Sequence, residues 1–359
     1  MGYSISHILK TEKIFIRVDS GTKIGYGHLI RCLALAEYLK KYFDVIFISS
    51  TLPGNIINEL VKKKIQICKL KSYPKKINQK NDANKTISLV KKYGGKKNLM
   101  IVDSYELSKK WETEIKSYVE KLIVIDDLGS RSHNCDIIID QNLHTKMNGV
   151  YDKLVPNHCI QLLGPKYTMI RDQFVNQKKL SKIRTFPIKR ILVSFGGSDI
   201  ENQTMPLLKI IKKSNLDVHV DVIVGKSNLN KNSIKKICSI TKKFSYFEQT
   251  NKIAKLMHSA DISMGSGGST NWERCILGLP AIVSIVSNDQ IDVTKALSEK
   301  KCIINLGHVK KIKDKDYLNA IKSLNNKILY QMSQKSFRLV DGKGKERISR
   351  HILSIISEN

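Results

Sequence analysis

Ile14-Phe-Ile-Arg-Val18 is followed by a loop holding Gly25-Tyr-Gly27, and then by His28-Leu-Ile-Arg-Cys-Leu-Ala-Leu-Ala-Glu-Tyr-Leu-Lys40. A short apolar run, a glycine-bearing loop and a helical pattern are the opening of a parallel α/β unit. The same alternation runs along the chain. Further strand candidates are Val45-Ile48, Ile65-Leu70, Met100-Val102, Leu122-Ile125 and Ile137-Ile139 in the first half. In the second half they are Ile191-Val193, His219-Val224, Ile262-Met264, Ala281-Ile285 and Cys302-Ile304. Most are apolar throughout, as strands covered by helices on both faces should be. Helices are expected between them, for instance over Lys252-Ser259 and Thr270-Leu277, with a loop and an exposed helix in the Lys-rich segment Pro74-Lys97.

The polar stretch between Arg171 and Arg190 contains Pro187 and no periodic core pattern, so the chain is expected to divide there. The expected fold is α/β, with two Rossmann-like lobes at 1–180 and 181–359, the second including a helical tail from about Asn325. Ligands of such sheets bind beyond the carboxyl ends of the strands, and a cleft between lobes is the expected place.

Bulk properties agree. A chain of 359 residues exceeds the usual size of one domain, and 41% hydrophobic with 26% charged residues describes a globular protein. No apolar run approaches the roughly 18 residues of a membrane span. Charge returns at Lys10, Glu12 and Lys13, unlike a secretory signal, and the Met1-Gly2 and Ser6 match to a myristoylation pattern reads as chance. The expected location is cytoplasmic. The seven cysteines are scattered with no C-x-x-C pair, which argues against a disulfide framework and a zinc site. The net charge of +30 raises the possibility of nucleic-acid binding, but only ten of the 62 basic residues are Arg, and the lysines lack aromatic interleaving. Lysine on solvated faces explains the charge better, so no nucleic-acid and no membrane partner is expected.

Three loops and three strand ends hold the chemistry-bearing residues. Gly25-Tyr-Gly27-His28 departs from the dinucleotide fingerprint, but it puts a histidine at a helix entrance. A helix N-terminus disfavours an added positive charge, which suits an imidazole acting as a base; His28 could equally cap or pack there. Ser194-Phe-Gly-Gly-Ser-Asp199 repeats the strand–glycine loop arrangement, with Asp199 as a helix cap. Gly265-Ser-Gly-Gly-Ser-Thr-Asn-Trp-Glu273 is the strongest local pattern, since three glycines and a helix start allow a backbone to approach a diphosphate. Glu273 follows Thr270 at capping-box spacing, and its alternative role is to bind ribose hydroxyls. Asp103-Ser-Tyr105, Asp126-Asp127 and Asp140-Gln-Asn142 follow three strand candidates and would line one cleft mouth.

The chain has no G-x-x-x-x-G-K-[ST] loop, no H-E-x-x-H and no G-x-S-x-G elbow. Asp314-Lys-Asp316 lies in a Lys-rich stretch and is not read as a metal site. No metal and no cofactor are expected.

Taken together, these stretches resemble the UDP-2,4-diacetamido-2,4,6-trideoxy-β-L-altropyranose hydrolases of pseudaminic acid biosynthesis. The resemblance rests on Arg17-Val-Asp-Ser, Gly25-Tyr-Gly-His28-Leu-Ile-Arg31, Val102-Asp-Ser-Tyr105, Ile125-Asp-Asp-Leu, Asn134-Cys-Asp136, Asp140-Gln-Asn-Leu143, Leu163-Gly-Pro-Lys-Tyr167 and Arg171. In the second half it takes in Val193-Ser-Phe-Gly-Gly-Ser-Asp199, Gly265-Ser-Gly-Gly-Ser-Thr270, Glu273, Gln290 and Asp341-Gly-Lys-Gly-Lys-Glu-Arg347. It implies a GT-B fold and metal-free hydrolysis of a UDP-sugar with C1–O cleavage and inversion, His28 acting on water. It implies substrate contacts from Asp19, Gly27, Arg31, Tyr105, Asn142, Tyr167 and Arg171. UDP contacts are implied at Gly197, Ser198, Ser266, Gly268, Ser269, Thr270, Glu273 and Gln290. Relatives are expected to carry a small apolar residue after the glycine-rich loop, where this chain has Asn271-Trp272. The UDP-sugar is the one partner implied, and a monomer is expected. The alternative is a UDP-sugar glycosyltransferase of the same fold.

Overall fold

The computed structural model describes residues 12–71 and 77–357. The myristoylation-like start and the beginning of the Pro74-Lys97 segment lie outside these residues. The remainder of that segment forms the helix Gln79–Tyr93, which is not simply exposed: Ala83, Ile87 and Val90 are buried.

The strands are β1 (Lys13–Val18), β2 (Asp44–Ser50), β3 (Gln66–Leu70), β4 (Asn98–Asp103), β5 (Lys121–Ile125), β6 (Ile137–Asp140), β7 (Ile160–Leu163), β8 (Arg190–Ser194), β9 (His219–Val224), β10 (Phe244–Glu248), β11 (Ile262–Ser266), β12 (Ala281–Ile285) and β13 (Ile303–His308). They form two sheets, a seven-stranded one in the order β3-β2-β1-β4-β5-β6-β7 and a six-stranded one in the order β10-β9-β8-β11-β12-β13. Every pairing between neighbours is parallel. In both sheets the chain starts at the centre, works to one edge and then crosses to the other side. That reversal is the doubly wound, Rossmann-type order, and it opens a binding position beyond the carboxyl ends of β1 and β4 and of β8 and β11. Strands β1 and β8 are buried over nearly their whole length, which explains the apolar runs Ile14–Ile16 and Ile191–Val193 at their centres.

Two strands had no counterpart in the sequence reading, β7 and β10, and both lie at sheet edges. Phe244-Ser-Tyr-Phe-Glu248 is only half-buried and mixes polar with aromatic residues. An edge strand lacks the covering on both faces that writes a continuous apolar run.

The chain forms two compact units. Of the described residues, the first takes those within Met1–Asn142, Lys146–Met169 and Lys343–Asn359, and the second takes Leu143–Thr145 and Ile170–Gly342. This corrects the expected division at 180/181 in two places. Residues 170–180 go with the second unit, and the terminal helix Gly344–Ser357 goes with the first. The helix returns because Ile348, Ile352, Ile355 and Ile356, spaced to share one face, enter the same core as Ile14, Leu29 and Leu35. Each such isoleucine contributes about 1.5–3 kcal/mol by leaving water. Its entry is tight. A Cβ on Gly344 would lie 2.2 Å from the Thr168 carbonyl oxygen, so only glycine admits the helix here.

No helix among the described residues is long and apolar enough to cross a membrane. All seven cysteines are buried and free.

Candidate functional site

The first unit gathers its chemistry at the carboxyl ends of β1, β4 and β5. Gly27 is the first residue of the helix Gly27–Leu39, and His28 is the second. Asp103 ends β4 and faces the helix. His28 Nδ1 lies 2.5 Å from Asp103 Oδ1. Arg31, one turn further along, donates through Nε to Oδ2 and through Nη2 to Oδ1 of the same carboxylate, both at 2.7 Å. Its third nitrogen, Nη1, reaches Asp127 Oδ2 at 2.5 Å. Tyr105 Oη donates to Asp127 Oδ1 at 2.5 Å, and its ring meets the imidazole edge-on at 4.7 Å. Asn142 Nδ2 donates to the Asp127 carbonyl at 3.4 Å.

The electrostatics fix the histidine. Burial pushes the Asp103 carboxyl up, but the Arg31 guanidinium and His28 outweigh it and hold Asp103 well below the usual carboxylate range. An ionised carboxylate only accepts hydrogen bonds, so Nδ1 is the nitrogen that donates to Asp103, with Arg31 Nη2 3.1 Å from it, and Nε2 makes no bond to the carboxylate. The imidazole is 14% exposed. The arrangement has the geometry of an oriented imidazole, with Asp103 in the position that holds its ring.

The sequence reading treated the three aspartate-bearing strand ends alike, and the structure separates them. Asp103 and Asp127 join the His28–Arg31 cluster. Asp126 and Asp140 turn inward, where Tyr151 Oη lies 2.9 Å from Asp126 Oδ2 and 3.0 Å from Asp140 Oδ2. Asp126 also binds Arg131 and lies 3.7 Å from His133 Nε2, whose Nδ1 is 2.7 Å from Glu112. Burial works against a charged His133, but the negative charges of Asp126 and Glu112, with the hydrogen bond to Glu112, prevail and raise it to about 9. The raised value means that this contribution to stability is complete below pH ~6.5 and is lost as pH rises through ~9. The unfolding free energy of the wild type is expected to fall across that window by up to about 3 kcal/mol, and that of His133→Gln to fall much less, as read by denaturant titration at each pH. Equal slopes would show that His133 is not the group responsible.

Two residues expected as substrate contacts are engaged inside the first unit. Asp19 is 5% exposed and accepts from Arg17 Nη1 and the Ser50 backbone N–H, each at 2.6 Å. Arg17 in turn grips Asp82, which also accepts from Trp111 Nε1. This buried network needs Asp19 for itself. Tyr167 packs into the first core and against the His351 ring at 6.2 Å.

The second unit brings two loops to the ends of β8 and β11. Gly197 and Ser198 are half-buried at the first loop, and Asp199 accepts from the Gln203 and Thr204 backbone N–H groups at 2.8 and 3.0 Å. Asp199 was expected as the N-cap itself; the residue in that position is Gln203, and Asp199 reaches the first backbone N–H groups from four residues earlier. In the second loop Ser266 is buried, Gly268 and Thr270 are half-buried and Ser269 is exposed. Gln290, expected as a ligand contact, holds the loop: its Oε1 accepts from Gly267 N at 3.1 Å and Val286 N at 3.2 Å. A Cβ on Gly267 would stand 2.3 Å from Thr294 Oγ1, so this turn packs directly on the neighbouring helix. Asn271 and Trp272 do not shape the loop's outer face. Both are 1% exposed, and Asn271 Nδ2 bonds the Gly267 carbonyl at 2.8 Å.

The capping box does not form. Ser269, not Thr270, precedes the helix, and no side chain caps it. Glu273 Oε1 instead accepts from Arg171 Nε at 3.0 Å and Nη2 at 2.6 Å. Its Oε2 has no hydrogen bond among the described residues, which leaves an acceptor for a ligand hydroxyl. Arg171, expected to touch substrate itself, is here the residue that aims Glu273.

Among the described residues no three His, Cys, Asp or Glu side chains are grouped to hold a metal ion. Asp316 of the Asp314-Lys-Asp316 stretch binds the Lys313 backbone N–H at 2.8 Å, at the start of a helix.

The fold and these two loop clusters define an α/β protein of GT-B-like architecture. Residues 191–350 match the glycosyltransferase family 28 C-terminal domain. The chain is also similar to the UDP-2,4-diacetamido-2,4,6-trideoxy-beta-L-altropyranose hydrolase of Campylobacter jejuni, with 28% identity over 265 residues, covering 74% of this chain and 88% of that one. An uncharacterized protein of Methanocaldococcus jannaschii is 28% identical over 353 residues, which cover 96% of this chain but 66% of the relative, just under two thirds. Among solved structures, MurG of Acinetobacter baumannii superposes with a TM-score of 0.64 at 13% identity, covering 96% of this chain and 99% of that one. At that identity the likeness speaks for the fold alone.

Proposed function

We propose that the chain is a cytoplasmic, metal-independent UDP-sugar hydrolase of pseudaminic acid biosynthesis. It releases UDP and a free 2,4-diacetamido-2,4,6-trideoxyhexose with inversion at C1. The observation that carries this reading is the His28–Asp103 pair, an imidazole whose Nδ1 is engaged by a buried carboxylate and which remains 14% exposed. The similarity to the Campylobacter hydrolase supports it.

Water attacks C1 while the C1–O bond to UDP breaks, and the transition state has oxocarbenium character. His28 Nε2 takes the proton of the attacking water. Attack opposite the departing UDP inverts the anomeric centre. Both electrons of the broken bond leave with the UDP oxygen, a good leaving group that does not require a protein acid. In the second unit, the backbone N–H groups and hydroxyls of the Gly197-Ser198 and Ser266–Thr270 loops stabilise that charge. Glu273 Oε2 accepts from the ribose. Arg31 and Asp127 brace Tyr105 and Asn142 for sugar contacts.

Incubating the protein with UDP-2,4-diacetamido-2,4,6-trideoxy-β-L-altropyranose in the presence of a chelator tests the proposal, with UDP and the anomeric proton followed by NMR. Release of UDP with a free sugar of inverted configuration is expected. The match to a glycosyltransferase domain keeps one alternative in play. Turnover that begins only when an acceptor is added would replace hydrolase by transferase.

If Arg171 aims Glu273, then Arg171→Ala loses the preference for UDP over 2′-deoxy-UDP. A loss of about tenfold in UDP affinity is expected, with 2′-deoxy-UDP affected little, because one charge-assisted hydrogen bond is removed. Isothermal titration with the two nucleotides reads it directly. An equal loss for both would assign Arg171 a general packing role.

A further inference from the structure

Arg274 is buried at 1% exposure in the short helix that follows the second glycine loop. Its Nη1 donates to the Ser266 carbonyl at 2.9 Å and to Asn271 Oδ1 at 3.1 Å. Its Nε and Nη2 have no partner. The neighbouring carboxylate, Glu273, turns to Arg171 instead. The guanidinium therefore meets only neutral acceptors. It lies directly against the loop: a Cβ on Gly265 would stand 2.9 Å from Nη2 and 1.8 Å from the Ser194 carbonyl oxygen. The cation thus sits beneath the second glycine loop, against Gly265 of β11, whose backbone packs closely on the Ser194 carbonyl at the end of β8.

This placement is costly. A buried charge without an opposite charge destabilises a protein by several kcal/mol, and a guanidinium cannot escape by losing its proton near neutral pH. Burial lowers Arg274 only to about 10, so the group stays charged. Buried polar groups left unpaired in a folded protein call for a specific reason. A positive charge held under loops that present backbone N–H groups has a direct one.

We propose that Arg274 is a positioning residue whose uncompensated charge makes the two glycine loops select an anion, and that the ligand's diphosphate is its missing counter-charge. The proposal rests on the UDP reading above and deepens it. Arg274 need not touch the ligand. It braces Ser266 and Asn271, which holds the Gly267 carbonyl, and it adds a field that little solvent screens. Asn271 then has its own explanation, as the side chain that ties the cation to the loop.

The test compares UDP, uridine and inorganic pyrophosphate binding by calorimetry in the wild type, Arg274→Gln and Arg274→Lys. Arg274→Gln is expected to weaken UDP and pyrophosphate by about tenfold or more and to leave uridine within about twofold. Arg274→Lys keeps the charge with different donors and is expected to retain the preference for UDP over uridine. If Arg274→Gln does not fold, Arg274→Lys decides: a preserved UDP-to-uridine ratio upholds the proposal and a collapsed one overturns it. Parallel loss of UDP and uridine in Arg274→Gln, or no loss of either, also overturns it. A wild type that binds pyrophosphate through Arg274 but neither UDP nor uridine would overturn the nucleotide reading alone.

Discussion

His28→Ala is expected to lower kcat for UDP release by about 10²–10⁴-fold, the usual worth of a general base, while UDP affinity stays within about twofold. The separation follows from where the groups lie. His28 sits in the first unit with its Nδ1 on Asp103, whereas the proposed UDP contacts belong to the second. Truncation leaves the surroundings intact, because Arg31 still provides Asp103 with two hydrogen bonds and Tyr105 keeps its bond to Asp127. Steady-state UDP release beside a UDP titration reads both quantities. A variant with near wild-type turnover would remove His28 from the mechanism. A variant that loses UDP binding as strongly as turnover would show that the histidine acts on the nucleotide rather than on water.

The legibility of this chain followed the range of its interactions. Strands such as β1 and β8 could be read because burial on both faces makes the centres of their sequences apolar. Strand β10 could not, because an edge position leaves it half-buried and admits Ser245 and the exposed Glu248 among its aromatics. His28 was legible as a candidate because its place at the start of a helix is a local fact. Asp103 was visible only as one of several aspartates after apolar runs. What distinguishes it from Asp126 and Asp140 is Arg31, 72 positions away, and no spacing rule encodes that pairing. The Arg171–Glu273 pair, 102 positions apart, was hidden for the same reason, and the capping-box spacing offered a local substitute that the fold does not use. Motif membership, conversely, does not separate ligand contacts from internal ones. Asp19, Tyr167 and Gly344 belong to stretches shared with the hydrolases, yet here they serve a buried ion network, a core and a helix entry.

Asp103→Asn tests the residue that the sequence could not single out, and its expected effect rivals that of removing His28. The carboxamide has nearly the shape of the carboxylate but carries a donor as well as an acceptor. If its Nδ2 turns to the imidazole, His28 must accept at Nδ1 and carry its hydrogen on Nε2, the nitrogen that should take the proton from water. A base locked in the wrong tautomer elsewhere costs about 10⁴ in kcat, so a loss of about 10³-fold or more is expected here. Arg31 opposes this flip, because its Nε and Nη2 still need acceptors and a carboxamide offers one oxygen for both. Asp127 keeps Nη1 in place, so the cluster is expected to fold with a cost of about 1–3 kcal/mol for the lost charge partner. Lower stability alone would leave the tautomer unchanged. Nitrogen-15 NMR of the His28 ring therefore separates the two effects: the wild type should carry its hydrogen on Nδ1, and the variant should shift it toward Nε2 as kcat falls. A variant that keeps the Nδ1–H form and loses less than about tenfold in kcat would show that Asp103 merely packs against His28, and the oriented-base mechanism would fall with it.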